Sequence, residues 1–257
     1  MTRAGDDVPA VRREDARVDV LVERLRDKRS KKVVFLSHCL LNENTRYLGG
    51  ACRQCCVREV VEQCMDRGIG MVQMPCPEQE VWGGVLKRRM LRLYGTNRFA
   101  RRAVSTLLPS AMVYVRLAYR RLARSVAARI DDYSRSGFTV VGIVGIDGSP
   151  TCGVRTTVDV GTFASEMSRV DPSTFSVDEQ NAMVRRHATS GRGIFIEELE
   201  RALDARGLRV PMLAHDLFAE LDGCSSTVEI GAVRIEGRRG DHASSSSRPR
   251  PCGEKAT

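Results

Sequence analysis

The sequence predicts an α/β protein with an open, mainly parallel sheet flanked by helices. Short apolar runs typical of buried strands alternate along the chain with segments whose apolar residues recur at helical spacing. The chain has 257 residues, of which 42% are hydrophobic and 28% charged, enough for one domain with a substantial core. No apolar run reaches about 18 residues, which excludes a membrane span.

The first two strands are expected at 32–37 and 69–74. Both are short runs rich in apolar residues, as in strands that are buried on both faces. Apolar residues at helical spacing over 52–67 predict the connecting helix, and Gly68 provides its end signal. Pro75 ends the second strand because proline cannot donate to a central ladder.

Two more strands complete the predicted sheet. The sequence FTVVGIVGI at 138–146 is the clearest strand of the chain, and it follows a helical pattern over 112–134. A helix over 193–206 precedes a strand at 208–213, and a short helix follows at 215–221. The arrangement is Rossmann-like, and ligands of such sheets bind at the carboxyl ends of the strands.

The predicted organisation has one folded region between two polar ends. Residues 1–30 form a polar leader, 31–222 the α/β domain and 223–257 a largely disordered, Ser- and Arg-rich tail. Within the domain we expect a basic helical segment at about 85–130 and an irregular insertion at about 155–190. The amino terminus lacks the apolar core of a secretory signal, so a cytoplasmic location is expected.

Three of the nine cysteines directly follow predicted strands. Cys39, Cys76 and Cys152 lie after the first, second and third strands, in or beside turns rich in glycine or proline. If the strands are parallel neighbours, the three thiols converge on one rim of the sheet. Any one of them could simply be a small buried side chain. Three together favour a soft metal or an iron–sulfur cluster, with no obvious fourth ligand.

The segments around these cysteines resemble the motifs of the 2-thiouracil desulfurase family. The matching stretches are SHCLLNENTRYLGG from Ser37, CPE from Cys76 followed by a Gly-Gly pair, GSPTCG from Gly148 and GRGIFIEEL from Gly191. They occur in the family's order. The resemblance covers about residues 32–213, apart from poorly matched stretches near 85–110 and 155–190.

The resemblance implies an enzyme with a [4Fe-4S] cluster. Cys39, Cys76 and Cys152 would be its ligands, and the fourth iron would bind the sulfur of a small thio-compound. The implied reaction is non-redox: 2-thiouracil and water give uracil and sulfide. A serine and a glutamate assist catalysis in the family. They correspond to Ser149 and Glu78, with Glu80 as the alternative because the local spacing CPEQEVWGG departs from the family pattern.

Arg46 lies in the first motif, on the predicted rim. It could bind an anionic group of the substrate or pair with a carboxylate of its own loop. We interpret it as a substrate-binding residue because rim loops of a rigid scaffold carry function.

Several other arrangements remain open from the residues alone. Cys52, Cys55, Cys56 and Cys64 could form a second metal or redox site, although burial on one face of a helix explains them more simply. A cysteine hydrolase would need a histidine beside a nucleophilic thiol, and no sequence feature fixes such a pair. The alternative to an enzyme is a non-catalytic iron–sulfur module, such as a sensor or an RNA-associated sulfur or iron carrier. Such a module has no need for Ser149 and Glu78.

The net charge of +9 is concentrated in one segment. Residues 81–130 contain twelve Lys and Arg residues and no Asp or Glu, so the remainder of the chain is net acidic. The segment could contact RNA phosphates, or it could be a solvated helix face whose Arg stems cover apolar surface. Sparse aromatic residues favour the second interpretation.

Overall fold

A computed structural model of the protein describes residues 10–94, 98–171, 174–224 and 228–231. The chain divides into two compact units, residues 1–30 and residues 31–257. The first contains helix α1 (Ala10–Arg24), in which Val18, Leu21 and Val22 are exposed. No described helix has both the length and the hydropathy needed to span a membrane.

The second unit alternates strands and helices. Its strands are β1 (Lys32–Leu36), β2 (Gly70–Gln73), β3 (Thr139–Asp147), β4 (Thr156–Val158), β5 (Ala188–Ser190) and β6 (Met212–Asp216). Its helices are α2 (His38–Leu41), α3 (Arg58–Asp66), α4 (Pro77–Trp82), α5 (Arg88–Tyr94), α6 (Arg98–Arg135), α7 (Val160–Met167), α8 (Val177–Arg186), α9 (Ile194–Asp204) and α10 (Leu217–Leu221).

Four of the strands form one parallel sheet in the order β2-β1-β3-β6. The predicted α/β class with a mainly parallel sheet and flanking helices is therefore confirmed. The order places β1 and β3 in the centre, so the loops after β1, β2 and β3 open on the same edge. The last strand lies at Met212–Asp216, a few residues beyond the predicted 208–213.

Side-chain alternation along the central strands builds a core on each face of the sheet. Phe35 and Ile143 face one side, where they pack with residues of α6 and α9. Val34 and Val144 face the other, where they pack with residues of α3 and α10. Because both faces are covered, these strands are apolar throughout instead of alternating with polar residues.

Two segments differ from the sequence prediction. Residues 155–190, expected to be irregular, contain the β4–β5 antiparallel pair and helices α7 and α8. Asp159 caps α7, and Ser176 with Glu179 forms a capping box on α8, which are local signals that stabilise short helices. The helix expected at 52–67 begins only at Arg58.

Part of the predicted carboxy-terminal tail belongs to the folded domain. Within the predicted tail, Val228 and Ile230 are buried in the core with the α3 side chains. Residues 232–257, which make up most of that tail, lie outside the described residues.

Candidate active site

A cavity of about 400 Å³ lies at the carboxyl ends of β1, β2 and β3. Cys39, Cys76 and Cys152 all line it. Cys39 and Cys76 are partly accessible, whereas Cys152 is buried. The structure therefore brings together the three thiols that the sequence places after three different strands.

Each thiol is positioned by the element that follows its strand. Cys39 lies in the short helix α2, immediately after β1. Cys76 is the N-cap residue of α4, and Pro77 at the first helical position is suited to a helix start. Cys152 lies in the turn after β3, where Ser149 Oγ accepts a hydrogen bond of 3.1 Å from the Cys152 backbone N–H.

The turn that carries Cys152 is fixed by Asp147, the last residue of β3. Its Oδ1 accepts hydrogen bonds from the backbone N–H groups of Val154, Arg155 and Thr156, at 2.8–3.3 Å. The start of α9 packs against the same turn. A Cβ on Gly193 would lie 2.4 Å from the carbonyl carbon and oxygen of Thr151, so only glycine allows this approach.

The environment keeps all three thiols protonated when no metal is bound. Burial raises the pKa of Cys39 to about 12, and the positive charge of Arg46 only partly opposes it. Burial also raises the pKa values of Cys76 and Cys152. Charge repulsion from Cys39 and Cys76 raises the pKa of Cys152 further, as expected of sulfurs that share one site. Metal binding would have to displace these protons.

The donor set consists of three thiols, the soft ligands that iron–sulfur clusters use. Within the described residues, no three Cys, His, Asp or Glu side chains surround a point that one metal ion could fill. Ligands of one tetrahedral ion converge within about 2.3 Å of it, whereas each cysteine of a cluster binds a different iron. The buried Ser37 hydroxyl lies beside the Cys152 thiol, and its hydrogen bond to the sulfur partly opposes the rise in the pKa of Cys152.

Glu78, Thr151 and Ser149 form a chain of hydrogen bonds beside the thiols. Thr151 Oγ1 donates to Glu78 Oε1 at 3.1 Å and lies 3.1 Å from Ser149 Oγ. Because the Thr151 hydroxyl has one proton, the Ser149 hydroxyl is the donor between them. Ser149 in turn accepts from the backbone N–H groups of Thr151 and Cys152. The chain thus runs from Ser149 through Thr151 to the Glu78 carboxylate.

Lys87 holds the other oxygen of Glu78. Its Nζ lies 3.4 Å from Glu78 Oε2 and donates a 2.6 Å hydrogen bond to the carbonyl oxygen of Thr45. The residue is buried and adopts a left-handed backbone conformation with φ of 50°. Glu80, the alternative carboxylate, is exposed and does not line the cavity.

Arg46 lines the cavity, but its charge is compensated. Its guanidinium lies 2.8 Å from Glu220 and 3.4 Å from Glu43, and it donates to the Gly50 carbonyl oxygen. Arg53 pairs with the same two carboxylates. Of the two arrangements that the sequence left open, the structure shows the pairing of Arg46 with Glu43, a carboxylate of its own loop. Substrate binding by Arg46 stays a prediction.

The four cysteines between positions 52 and 64 do not share a helix face. Cys52 and Cys55 are exposed in the loop before α3, Cys56 is half-buried, and Cys64 is buried in the core. Burial on a helix is therefore the wrong explanation for Cys52 and Cys55. The loop is drawn away from helical geometry by Glu43, whose carboxylate accepts from the backbone N–H groups of Cys52 and Arg53.

The described histidines outside the cavity are engaged elsewhere. His187 contacts Glu166 and Thr162, and His215 contacts Glu220. Neither lines the cavity. His38 does, and burial lowers its pKa.

Several residues of the site were not predicted. Thr151 lies inside the GSPTCG motif, but a threonine in a turn does not by itself indicate a chemical role. Lys87 is one of twelve cations in the basic segment, of which Arg116 and Arg120 pair with Glu198. Trp82 and Tyr119 line the cavity, where the Trp82 indole N–H donates to the Tyr119 hydroxyl at 3.2 Å. Only the fold shows that these four side chains reach the site.

Comparisons with known proteins agree with the motifs. The family model described as 2-thiouracil desulfurase matches residues 34–208, most of the second unit. An uncharacterized protein of Methanocaldococcus jannaschii is 22% identical over 126 residues, which cover 49% of this chain and 70% of that protein. No solved structure matches. With more than half of its length matched by the family model, the chain belongs to the 2-thiouracil desulfurase family.

Proposed function

We propose that the protein removes sulfur from a thiolated pyrimidine such as 2-thiouracil by a hydrolytic, non-redox reaction. The thiocarbonyl compound and one water give the carbonyl compound and sulfide. The observation that carries the proposal is the arrangement at the cavity. Three thiols from three strand ends lie beside a carboxylate and a serine that are joined through Thr151.

Cys39, Cys76 and Cys152 would hold a [4Fe-4S] cluster. Such a cluster with three protein ligands supplies an open, soft Lewis-acid position for the thiocarbonyl sulfur and for the sulfide that leaves. The thiols lose their protons when they become ligands, which removes the cost of burying three thiolates without a partner.

The chain's own residues would handle the water and its protons. Glu78 lines the cavity beside Cys76 and would accept a proton from the attacking water. Lys87 holds Oε2 of Glu78 and Thr151 holds Oε1, so the carboxylate is oriented before the substrate arrives. The Ser149 hydroxyl, whose single proton points to Thr151 in the resting site, would turn this proton to the water or to a ring nitrogen when the substrate binds. Arg46, which is neutralised by two carboxylates, would contribute hydrogen-bond donors instead of a free charge.

The Glu78–Thr151–Ser149 chain favours an enzyme over a non-catalytic cluster module. A module that only stores or senses a cluster needs the three thiols, but it has no use for an oriented carboxylate on the wall of a large cavity. The RNA alternative stays a prediction. Arg116 and Arg120 pair with carboxylates and Tyr119 is buried, which leaves fewer groups of the basic segment for phosphate contact or base stacking.

Reconstitution without oxygen tests the proposal. We expect about four irons and four sulfides per chain, lost in Cys39→Ala, Cys76→Ala and Cys152→Ala and kept in Cys64→Ala, a matched change of a buried cysteine away from the cavity. The reconstituted protein should convert 2-thiouracil to uracil and sulfide. Bound zinc in place of iron, or iron that does not depend on these three cysteines, would contradict it.

A further inference from the structure

The cavity above the three thiols is larger than one pyrimidine ring requires. Its volume is about 400 Å³. An engineered apolar cavity of about 150 Å³ is enough to bind benzene, and pockets of about 300–1,000 Å³ hold ligands of drug size. A cluster on the thiols and a pyrimidine ring beyond it would share this volume, and the outer part of the cavity stays available to a substituent of the ring.

The two ends of the cavity differ in chemistry. The end formed by the strand termini carries the thiols, Glu78, Ser149 and Thr151. The walls further out are apolar and come from two segments of the chain. Helices α4 and α5 contribute Trp82 and Met90, and the β4–α8 region contributes Phe163, Met167 and Phe175. Met90, Phe163 and Phe175 are half-buried and belong to neither core cluster, so packing of the core does not account for them.

The arginine of the cavity wall and the lysine that contacts Glu78 are both paired with carboxylates. Arg46 is paired with Glu43 and Glu220. Lys87 is paired with Glu78. A phosphate at Arg46 would be repelled by the carboxylates of Glu43 and Glu220, so the wall favours an uncharged substrate.

We propose that the cavity selects an uncharged thiocarbonyl heterocycle that carries an apolar substituent. The C=S group points towards the cluster that the thiols would hold, and the substituent lies between Met90 and Phe163 on the outer walls. The thiocarbonyl half of this assignment rests on the proposed function. The apolar half rests on the volume and lining of the cavity alone.

Binding to the full-length protein tests the assignment without requiring turnover. Trp82 is the only tryptophan of the chain and lines the cavity, so its fluorescence reports occupancy, with isothermal titration calorimetry as a second measurement. The probes are 2-thiouracil, 6-propyl-2-thiouracil and thiouridine 5′-phosphate. Because each buried methylene strengthens binding by roughly fourfold, we expect the propyl compound to bind at least tenfold more tightly than 2-thiouracil. Equal dissociation constants, or tightest binding of the phosphate, would overturn the proposal.

A pair of methionine variants locates the substituent. Met90→Gln should reduce the preference for the propyl compound by a few fold, with little change in 2-thiouracil binding. Met65→Gln, a matched change at an exposed methionine of α3, should leave the preference intact. Equal effects of the two variants would overturn the assignment of the outer wall. Turnover by the reconstituted protein is scored separately. Selective binding without sulfide release would sustain the selectivity of the cavity and contradict the proposed desulfuration.

Discussion

Lys87 and Glu78 form an ion pair at the edge of the candidate active site, with Lys87 Nζ 3.4 Å from Glu78 Oε2. The lysine side chain is 3% exposed, and its ammonium also donates to the Thr45 carbonyl oxygen. It therefore ties the first motif of the chain to the second. Lys87 does not line the cavity, so it would act on the reaction through the position of Glu78.

We expect Lys87→Met to lower kcat for desulfuration by about 10- to 100-fold, since a misplaced catalytic group costs rate on this scale. KM should change little, because Lys87 is outside the cavity. Lys87→Arg should recover part of the loss, and Arg88→Met, a change at the exposed neighbour, should have no effect. Steady-state kinetics normalised to bound iron measure this. A loss of iron and of thermal stability in proportion to the loss of rate would show a structural role instead.

The carboxylate that serves as the base can be identified by two isosteric changes. Glu78→Gln retains an oxygen that can accept from Thr151 but removes the proton acceptor, and we expect a fall in kcat of about 10²- to 10⁴-fold with iron content kept. Glu80→Gln changes an exposed side chain of the same helix turn and should stay within about twofold. Rates and iron contents measured together decide between them. Unchanged rate and cluster content in Glu78→Gln would remove this residue from the mechanism.

Much of this site follows from local sequence. Strand patterns predict the positions of Cys39, Cys76 and Cys152, because the ends of neighbouring parallel strands meet at one edge. The roles of Lys87 and Thr151 do not follow from it. The role of Thr151 depends on its contact with Glu78, which lies 73 residues away in the sequence. The role of Lys87 depends on its burial, which the sequence does not distinguish from the exposure of the other described cations in the basic segment.

Residues 155–190, which were expected to be an irregular insertion, are ordered although their local sequence signals are too weak to predict this structure. Residues 155–190 have little apolar periodicity, yet capping side chains start both α7 and α8. Contacts between Gln180 and the Leu48 carbonyl oxygen, and between Asn181 and Tyr47, hold α8 against the first-motif loop. Tertiary contacts thus order a segment whose own propensity is low.

The close approach of α9 to the cysteine turn gives a third prediction. A methyl group on Gly193 would meet the Thr151 carbonyl at 2.4 Å and the Gly153 nitrogen at 2.8 Å, and these are backbone atoms that cannot yield easily. We expect Gly193→Ala to lower the free energy of unfolding by about 1–3 kcal/mol and to reduce iron loading, because the turn also carries Cys152. Denaturant unfolding and iron assays measure the two effects.

Gly70→Ala provides the control for this change. A methyl group at Gly70 in β2 meets its nearest neighbours at 3.4 Å, an ordinary contact, so stability should change by less than about 0.5 kcal/mol. If Gly193→Ala behaves like Gly70→Ala in both assays, the close packing of α9 on the cysteine turn is not needed for the site.

His215 makes the stability of the protein depend on pH. The side chain is fully buried, with Nε2 3.0 Å from Glu220 Oε2, and Arg46 and Arg53 pair with Glu220. Burial, reinforced by the two arginines, lowers the pKa of His215 to about 4, although Glu59 and Glu43 oppose the shift. In the unfolded chain the pKa of a histidine is about 6.5. The folded protein therefore binds fewer protons than the unfolded chain between these two values.

The lower pKa of His215 in the folded protein makes stability fall as the pH falls. The contribution of His215 to stability is fully present above pH 6.5, and it is lost as the pH falls from 6.5 towards 4, because the unfolded state gains the proton first. At pH 5.5 the loss amounts to about 1.4 kcal/mol relative to pH 7.5. Urea unfolding at the two pH values measures it. His215→Gln should remove this part of the pH dependence, whereas His187→Gln, a change at a half-buried histidine outside the cavity, should retain it. A wild-type protein that is equally stable at both pH values would show that His215 takes up its proton in the folded state as readily as in the unfolded chain.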